Sequence, residues 1–388
     1  MNKNPATRFY TLLVLLYFSD MVLLLSNIWN SLKVTASPLF MGITLSVGTA
    51  IPFILKKTRI TLLKYTLNVH ELYKRRIVVF SLLLIISLLN YSDSPPGFII
   101  TSLVIGYLSL ITLSTLEASN TKLVLGGHIT SEKASRIMQT VVQIGSFFGA
   151  MVSGFLLTSI KFNTLIMLIC LFDIIVSACG HFLFSEQAST VQDENTTQAN
   201  HTPVKISKTL KILCISIGLI GLHISAFNTL TPILFQTIKE LSAEYFGTCS
   251  AVAGAGAFST AFVNVRIFRY LLPALVLMCC DYIFTTSPVA ELSIVACFFI
   301  GFSINTIRIN TRKHMIDQVK NKREAEEVGS YSAALYTFSQ SLGPVLFGIL
   351  TSNNVLGAAS SVLLFPFIGF LLFAYMLIWS VNKGFTRE

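Results

Sequence analysis

Three carboxylates and one imidazole stand inside apolar stretches of the chain, where charge is expensive: Asp20, Asp173, Asp281 and His223. A charged side chain at the centre of a membrane helix costs about 2.5–3.5 kcal/mol on insertion scales, so each of these groups needs a partner, a water-filled cavity or a proton. Asp20, near the middle of the first apolar run, is the leading candidate for chemistry. Protonation removes its cost, and an acid that alternates between charged and neutral forms couples proton entry to solute movement. The alternative is an Asp hydrogen-bonded to neighbouring hydroxyls, with a structural role only. His223 carries a group that titrates near neutral pH and can relay protons or bind solute. It is expected to face Asp20 across a cavity, unless it is simply a satisfied structural donor. Asp281 is a further proton-coupling candidate.

A second set of residues is uncharged. Gln139, Gln143 and Ser146 follow the i, i+4, i+7 spacing of one helical face, so in an apolar helix they must line a cavity or bond a neighbouring helix. Moved 194 positions along, they become Ala333, Thr337 and Gln340, with Tyr336 beside them. Asn27, Asn228 and Thr231 extend a polar lining along the runs that hold Asp20 and His223, and Pro232 is placed to free backbone carbonyls there. Glu117 and Arg308, at the ends of two other runs, are candidates for an ion pair that closes an inner gate, with Lys122 and Glu327 as rival partners.

The elements that must position these groups follow from composition. Hydrophobic residues make up 53% of the chain, charged residues 12%, and the mean hydropathy is +0.71. That excludes an ordinary soluble domain and predicts an all-α polytopic membrane protein. Apolar runs of spanning length fall at roughly 8–30, 37–55, 76–91, 97–118, 137–160, 163–184, 208–235, 245–264, 269–288, 290–308, 328–352 and 356–380. The first is longer than the roughly 7–15 residues of a signal-peptide core and is expected to stay as a helix.

Net charge is +10, but its distribution argues against nucleic acid. With both termini placed in the cytoplasm, 25 of the 28 Lys and Arg fall in cytoplasmic segments, as the positive-inside rule requires. Seven of them lie between Lys56 and Arg76, a segment that reads either as a helix on the inner membrane surface or as a topology-setting loop. The segment 310–327 is expected to form a charged helix outside the membrane. The seven cysteines show no ligand spacing and read as small apolar packers, so no metal site is expected. No phosphate loop, His-Glu-x-x-His or Gly-x-Ser-x-Gly is present, and neither a cofactor nor an enzymatic activity is expected.

Gly149 and Gly154 recur as Gly343 and Gly348, a shift of half the 388-residue chain. Each pair is followed by a Thr-Ser step, Thr158-Ser159 and Thr351-Ser352. This predicts a duplication into two pseudo-symmetric six-helix bundles, residues 1–184 and 208–388. The polar stretch 185–207 between them reads as a cytoplasmic linker.

Twelve spans as six plus six, both ends inside and the repeated glycines resemble the major facilitator superfamily over essentially the whole chain. Gly145, Gly149, Ala150, Ser153 and Gly154 look like that family's antiporter motif, Gly-x-x-x-Gly-Pro-x-x-Gly-Gly, with Ala150 in place of Pro and Ser153 in place of Gly. The Gly-Pro step stands in the second half instead, at Gly343-Pro344. The acidic residue and Arg-rich turn that usually follow the second span are reduced to Gly48 and Lys56-Lys57, and the fourth span lacks the arginine many members carry.

The resemblance implies a secondary active transporter in the cytoplasmic (inner) membrane, working by alternating access as a monomer. Its motif implies proton-coupled efflux by an antiporter. The resemblance also assigns the spans of Asp173 and Asp281 to outer supports, where acids serve as shielded packing partners. The expected substrate is a small organic molecule: drug-like, metallophore- or siderophore-like, or derived from an amino acid. An importer of a nutrient or metal chelate is the alternative, and a membrane-bound sensor or enzyme a more distant one.

Overall fold

Proline opens three of the helices, at Pro5, Pro38 and Pro95, where the first-turn N–H has no intrahelical partner and the fixed φ suits the helix start. Ser207 caps another by accepting from the Leu210 N–H at 3.3 Å. The computed structural model describes residues 5–58, 69–125, 131–184, 206–260, 262, 271–319, 322–352 and 354–384. The first half comprises α1 (Pro5–Thr35), α2 (Pro38–Thr58), α3 (Val69–Leu88), α4 (Pro95–Leu125), α5 (Ser131–Ser159) and α6 (Phe162–Leu183). The second comprises α7 (Lys208–Ile233), α8 (Ala243–Ser259), α9 (Leu271–Thr286), α10 (Ala290–Gln318), α11 (Lys322–Thr351), the short α12 (Gly357–Ser361) and α13 (Leu364–Gly384).

The protein is an all-α polytopic membrane protein. Each of the twelve expected spans coincides with a helix, the last divided into α12 and α13. Among the described residues, eight helices are long and apolar enough to cross a membrane, and Pro38–Pro52 and Leu271–Thr286 are shorter apolar ones. The faces of α3, α6, α9 and α13 that carry Leu82, Ile85, Leu168, Ile175, Leu275, Phe367 and Phe370 are exposed, as lipid-facing positions must be. Past Pro232, α7 continues as one π turn, Leu234–Ile238.

Two expectations change. The helix expected outside the membrane at 310–327 is instead the continuation of α10 to Gln318 and the start of α11 at Lys322. The third span starts seven residues earlier than hydropathy placed it, so Arg76 lies inside α3 rather than in a loop. Of the surface segment expected before it, residues 59–68 lie outside the described residues, as does most of the linker, 185–205.

The duplication is visible in the close contacts. Gly149 packs against α1, where an added Cβ would lie 2.6 Å from the Phe18 carbonyl oxygen, and Gly343 packs against Ser225 of α7. Gly154 packs on α8 and Gly348 on α2, both across the halves. Gly106 meets Gly48, and Gly301 meets Ala253, in the corresponding α2–α4 and α8–α10 contacts. No single shift relates these pairs. The offset is 205 residues for Gly42 and Gly247, but 195 for Gly106 and Gly301 and 194 for α5 and α11. The drop arises because α9 and the connection after it are shorter than α3 and its connection.

The halves meet at the end of the bundle away from the chain termini. Residues from the far portions of α1 and α2, including Ile28, Trp29, Leu32 and Met41, belong to the same hydrophobic core as the second half. Trp29 stacks on Phe246 with centroids 5.4 Å apart, and Gln236 of the π turn donates to the Trp29 carbonyl at 2.9 Å.

Candidate functional site

Asp20 is the sixteenth residue of α1, and the face of α1 that carries it turns toward α3 and α6. Arg76 of α3 reaches between Asp20 and Asp173 of α6 with no exposed surface of its own. Its Nη2 donates to Asp20 Oδ1 and to Asp173 Oδ2, both at 2.6 Å. Its Nη1 donates to Asp20 Oδ2 at 3.1 Å and Thr112 Oγ1 at 2.9 Å, and its Nε to Asp173 Oδ1 at 3.2 Å. These five bonds use all five N–H groups of the guanidinium. Ser19 and Ser177 donate to the Asp173 carboxylate as well, and the Phe80 ring lies 5.3 Å below the guanidinium carbon.

The charge count matters more than the geometry. One guanidinium and two carboxylates leave a net −1 in an apolar interior, which is offset when one carboxyl group holds a proton. Asp20 retains 7% exposure while Arg76 and Asp173 have none, so the cluster meets solvent through Asp20. The Tyr17 hydroxyl, one turn before Asp20, is buried without a hydrogen-bond partner.

His223 is the sixteenth residue of α7, the same place in its helix as Asp20 in α1. It does not face Asp20. Its Nε2 lies 2.9 Å from Oδ2 of Asp281 on α9, and its ring packs at 4.8 Å on Phe365. Asp173 and Asp281 are each bonded to an ionisable group of another helix. Arg76 escaped sequence reasoning because a cation at the edge of an apolar run is read as a loop residue. The available signal was electrostatic: three intramembrane acids call for a cation nearby.

The uncharged candidates divide. Asn27 is buried between helices, donating to Ser102 Oγ at 2.9 Å and the Phe98 carbonyl at 3.2 Å, so it joins α1 to α4 rather than lining a cavity. Thr231 is fully buried as well. Gln143, Ser146, Asn228, Tyr336, Thr337 and Gln340 are each partly exposed, while the side chain of Gln139 lies outside the described residues. Gln340 donates to the Tyr336 hydroxyl at 3.1 Å, and its carbonyl accepts from Thr49 of α2 at 3.1 Å. Arg308 stacks over the Tyr336 ring at 5.6 Å, within its own half, and Glu117 is exposed on α4. Gly145 packs against Tyr17 and Val14 of α1, so the motif-like glycines serve close helix contact.

No protein-family model matches the chain, and neither does any curated protein sequence. Solved structures do match over nearly their whole length. The nucleoside transporter NupG shares 14% identity, with 98% of this chain and 99% of that one covered and a TM-score of 0.69. A bacterial homologue of the iron transporter ferroportin in an inward-facing state shares 12%, with 97% and 100% covered and a TM-score of 0.69. A bacterial homologue of the human lysosomal transporter Spinster, inward-facing and unoccupied, shares 11%, with 97% and 96% covered and a TM-score of 0.63. These neighbours are transporters, not enzymes, and at such identities the likeness carries the fold alone: an all-α polytopic membrane bundle.

Proposed function

We propose that this chain is a secondary active transporter that moves a small organic solute across a membrane by alternating access, in exchange for protons. The two bundles, residues 1–184 and 208–388, rock about the solute site, and 185–207 links them on the cytoplasmic side of an inner membrane. The observation that carries this reading is the Asp20–Arg76–Asp173 cluster, whose net −1 is offset by one proton and whose edge at Asp20 alone keeps exposure. A binding step that changes exposure of that edge changes whether the proton stays, which is the requirement for coupling. Gln143, Ser146, Asn228, Tyr336, Thr337 and Gln340 are the partly exposed polar groups available to a solute.

The glycine contacts support a seam that opens and closes, because small residues let backbones approach and separate without unpacking large side chains. The likeness of Gly145–Gly154 to an exporter motif favours extrusion, and Ala150 in place of its proline leaves uptake as the rival.

The test is Asp20→Asn in proteoliposomes with an imposed pH gradient, using panels of amphipathic cations, metal chelates and amino-acid derivatives. Gradient-driven flux of the transported compound should vanish while exchange at equal pH persists. Wild-type gradient-driven flux in the variant refutes the coupling role. The direction of wild-type flux relative to the gradient separates export from uptake.

A further inference from the structure

We infer that His223 and Asp281 form a second proton-holding site, the counterpart in the second half of the Asp20–Arg76–Asp173 cluster, so that each bundle carries one exchangeable proton. This rests on the transport reading above and adds a second locus to it.

The correspondence is positional. Asp20 and His223 are each sixteenth in their helices, and Arg76 and Asp281 are 205 residues apart, the same offset that relates Gly42 of α2 to Gly247 of α8. The third member also has its counterpart. Asp173 of α6 lies 196 residues before Gly369 of α13, within two residues of the 194 and 195 offsets of the later helices, and a Cβ at Gly369 would overlap Asp281 Oδ2. The space an acid fills in the first half is vacated by glycine in the second, and the Asp281 carboxylate occupies it. The polarity is inverted: the inner helix supplies the acid in one half and the base in the other, with the opposite group on the outer helix.

Charge and hydrogen bonding separate this pair from a purely structural contact. With the imidazole neutral the pair carries −1. One proton taken from water, shared between His223 Nε2 and Asp281 Oδ2, brings it to zero, and returning that proton to water restores −1. In the first half both Asp173 oxygens are fully engaged by Arg76, Ser19 and Ser177. In the second half Asp281 Oδ1 is buried with no partner, so the carboxylate is left under-bonded where a structural network would have filled it.

The surroundings hold little else that titrates. On α9 and α10 the Cys280 and Cys297 thiols lie within electrostatic reach of Asp281, and Cys297 is also within reach of Lys239. From α13 come Phe365 and Gly369, and α11 brings Tyr336 against Gly221 of α7. Among the described residues, no other acid or base from α1, α2, α11 or α13 pairs with His223 or Asp281.

The experiment is proton counting on the purified protein in detergent, by potentiometric titration between pH 4 and 10, with no solute present. His223→Gln should lose one titrating proton relative to wild type beyond pH-independent background, Asp20→Asn one, and the double variant two. In parallel, nitrogen-15 histidine NMR should show one imidazole signal that disappears in His223→Gln and shifts in Asp281→Asn, a variant that keeps the side-chain shape. If Asp20→Asn loses its proton and His223→Gln loses none, the second site is refuted and the first stands. If only His223→Gln loses one, the coupling role of Asp20 fails and this site stands. An unshifted imidazole signal in Asp281→Asn overturns the pairing.

Discussion

Replacing Arg76 by Met should be among the most damaging single substitutions in the protein, and its cost follows from the bonds the guanidinium makes. Four of its five N–H groups go to carboxylate oxygens at 2.6–3.2 Å, in a site where Arg76 and Asp173 have no exposure. Removing the cation leaves two carboxyl groups facing each other in an apolar interior. Breaking a buried ion pair by deleting one partner costs about 3–5 kcal/mol, because the remaining charge is uncompensated. The cost should depend on the acids and not on lost packing. Replacing all three members together with neutral groups of similar volume (Asp20→Asn, Arg76→Met, Asp173→Asn) should therefore recover stability to within about 1 kcal/mol of wild type, as buried charge networks replaced by neutral ones usually do. Arg76→Lys should fall between, because one ammonium cannot span both carboxylates in the bidentate manner of the guanidinium. The measurement is unfolding free energy by SDS titration from mixed micelles, with proteoliposome flux alongside. The triple variant should be folded and unable to couple to a pH gradient. A triple variant no more stable than Arg76→Met alone would show that Arg76 acts through shape, and the charge count would be wrong.

Gly154→Val puts a side chain 2.8 Å from the Ala243 carbonyl oxygen and 2.9 Å from Gly247 Cα, across the halves. Overpacking of about 1–3 kcal/mol, confined to one conformation, shifts the balance toward the conformation open at that end by roughly 5- to 150-fold. Spin labels at Lys161 and Glu291 should report longer distances, with Gly329→Ala, where an added Cβ meets nothing within 4 Å, leaving them unchanged. Gln236→Ala removes the bond to the Trp29 carbonyl and should shift the same distances in the same direction by about 1 kcal/mol; no movement in either variant speaks against the seam as a gate. Arg308 stacks on Tyr336, and the proposed gate pairs it with Glu117 when the terminal end is closed. Exchanging the two charges (Glu117→Arg with Arg308→Glu) should restore transport lost in either single variant, and failure to rescue removes the pair from the gate.

Most of the helices were legible because they obey the simplest rule in the chain: about 20 apolar residues, bounded by polar ones. The duplication was legible only in part. Gly149 and Gly343 gave the offset of the later helices, but a uniform shift of 194 residues sets Asp20 against Cys214 and not against His223, which holds the same place in α7. Hydropathy also set α3 seven residues late and so removed Arg76 from the membrane. The partner of His223 was beyond periodicity for a more general reason. In α1 and α7 apolar residues occupy every face, so the pattern does not say how the helix is rotated. Rotation is set instead by the few groups that cannot remain alone in an apolar medium, and each must find its complement within reach of its own helix. In both halves that complement lies within the same half: Arg76 of α3 reaches Asp20, Ser19 of α1 donates to Asp173 of α6, and Asp281 of α9 meets His223 of α7. An intramembrane acid on a cavity helix should therefore first be matched with ionisable residues on the third and sixth helices of its own bundle, including those at the edges of apolar runs. Here that rule returns Arg76 and Asp173 for Asp20, and Asp281 for His223.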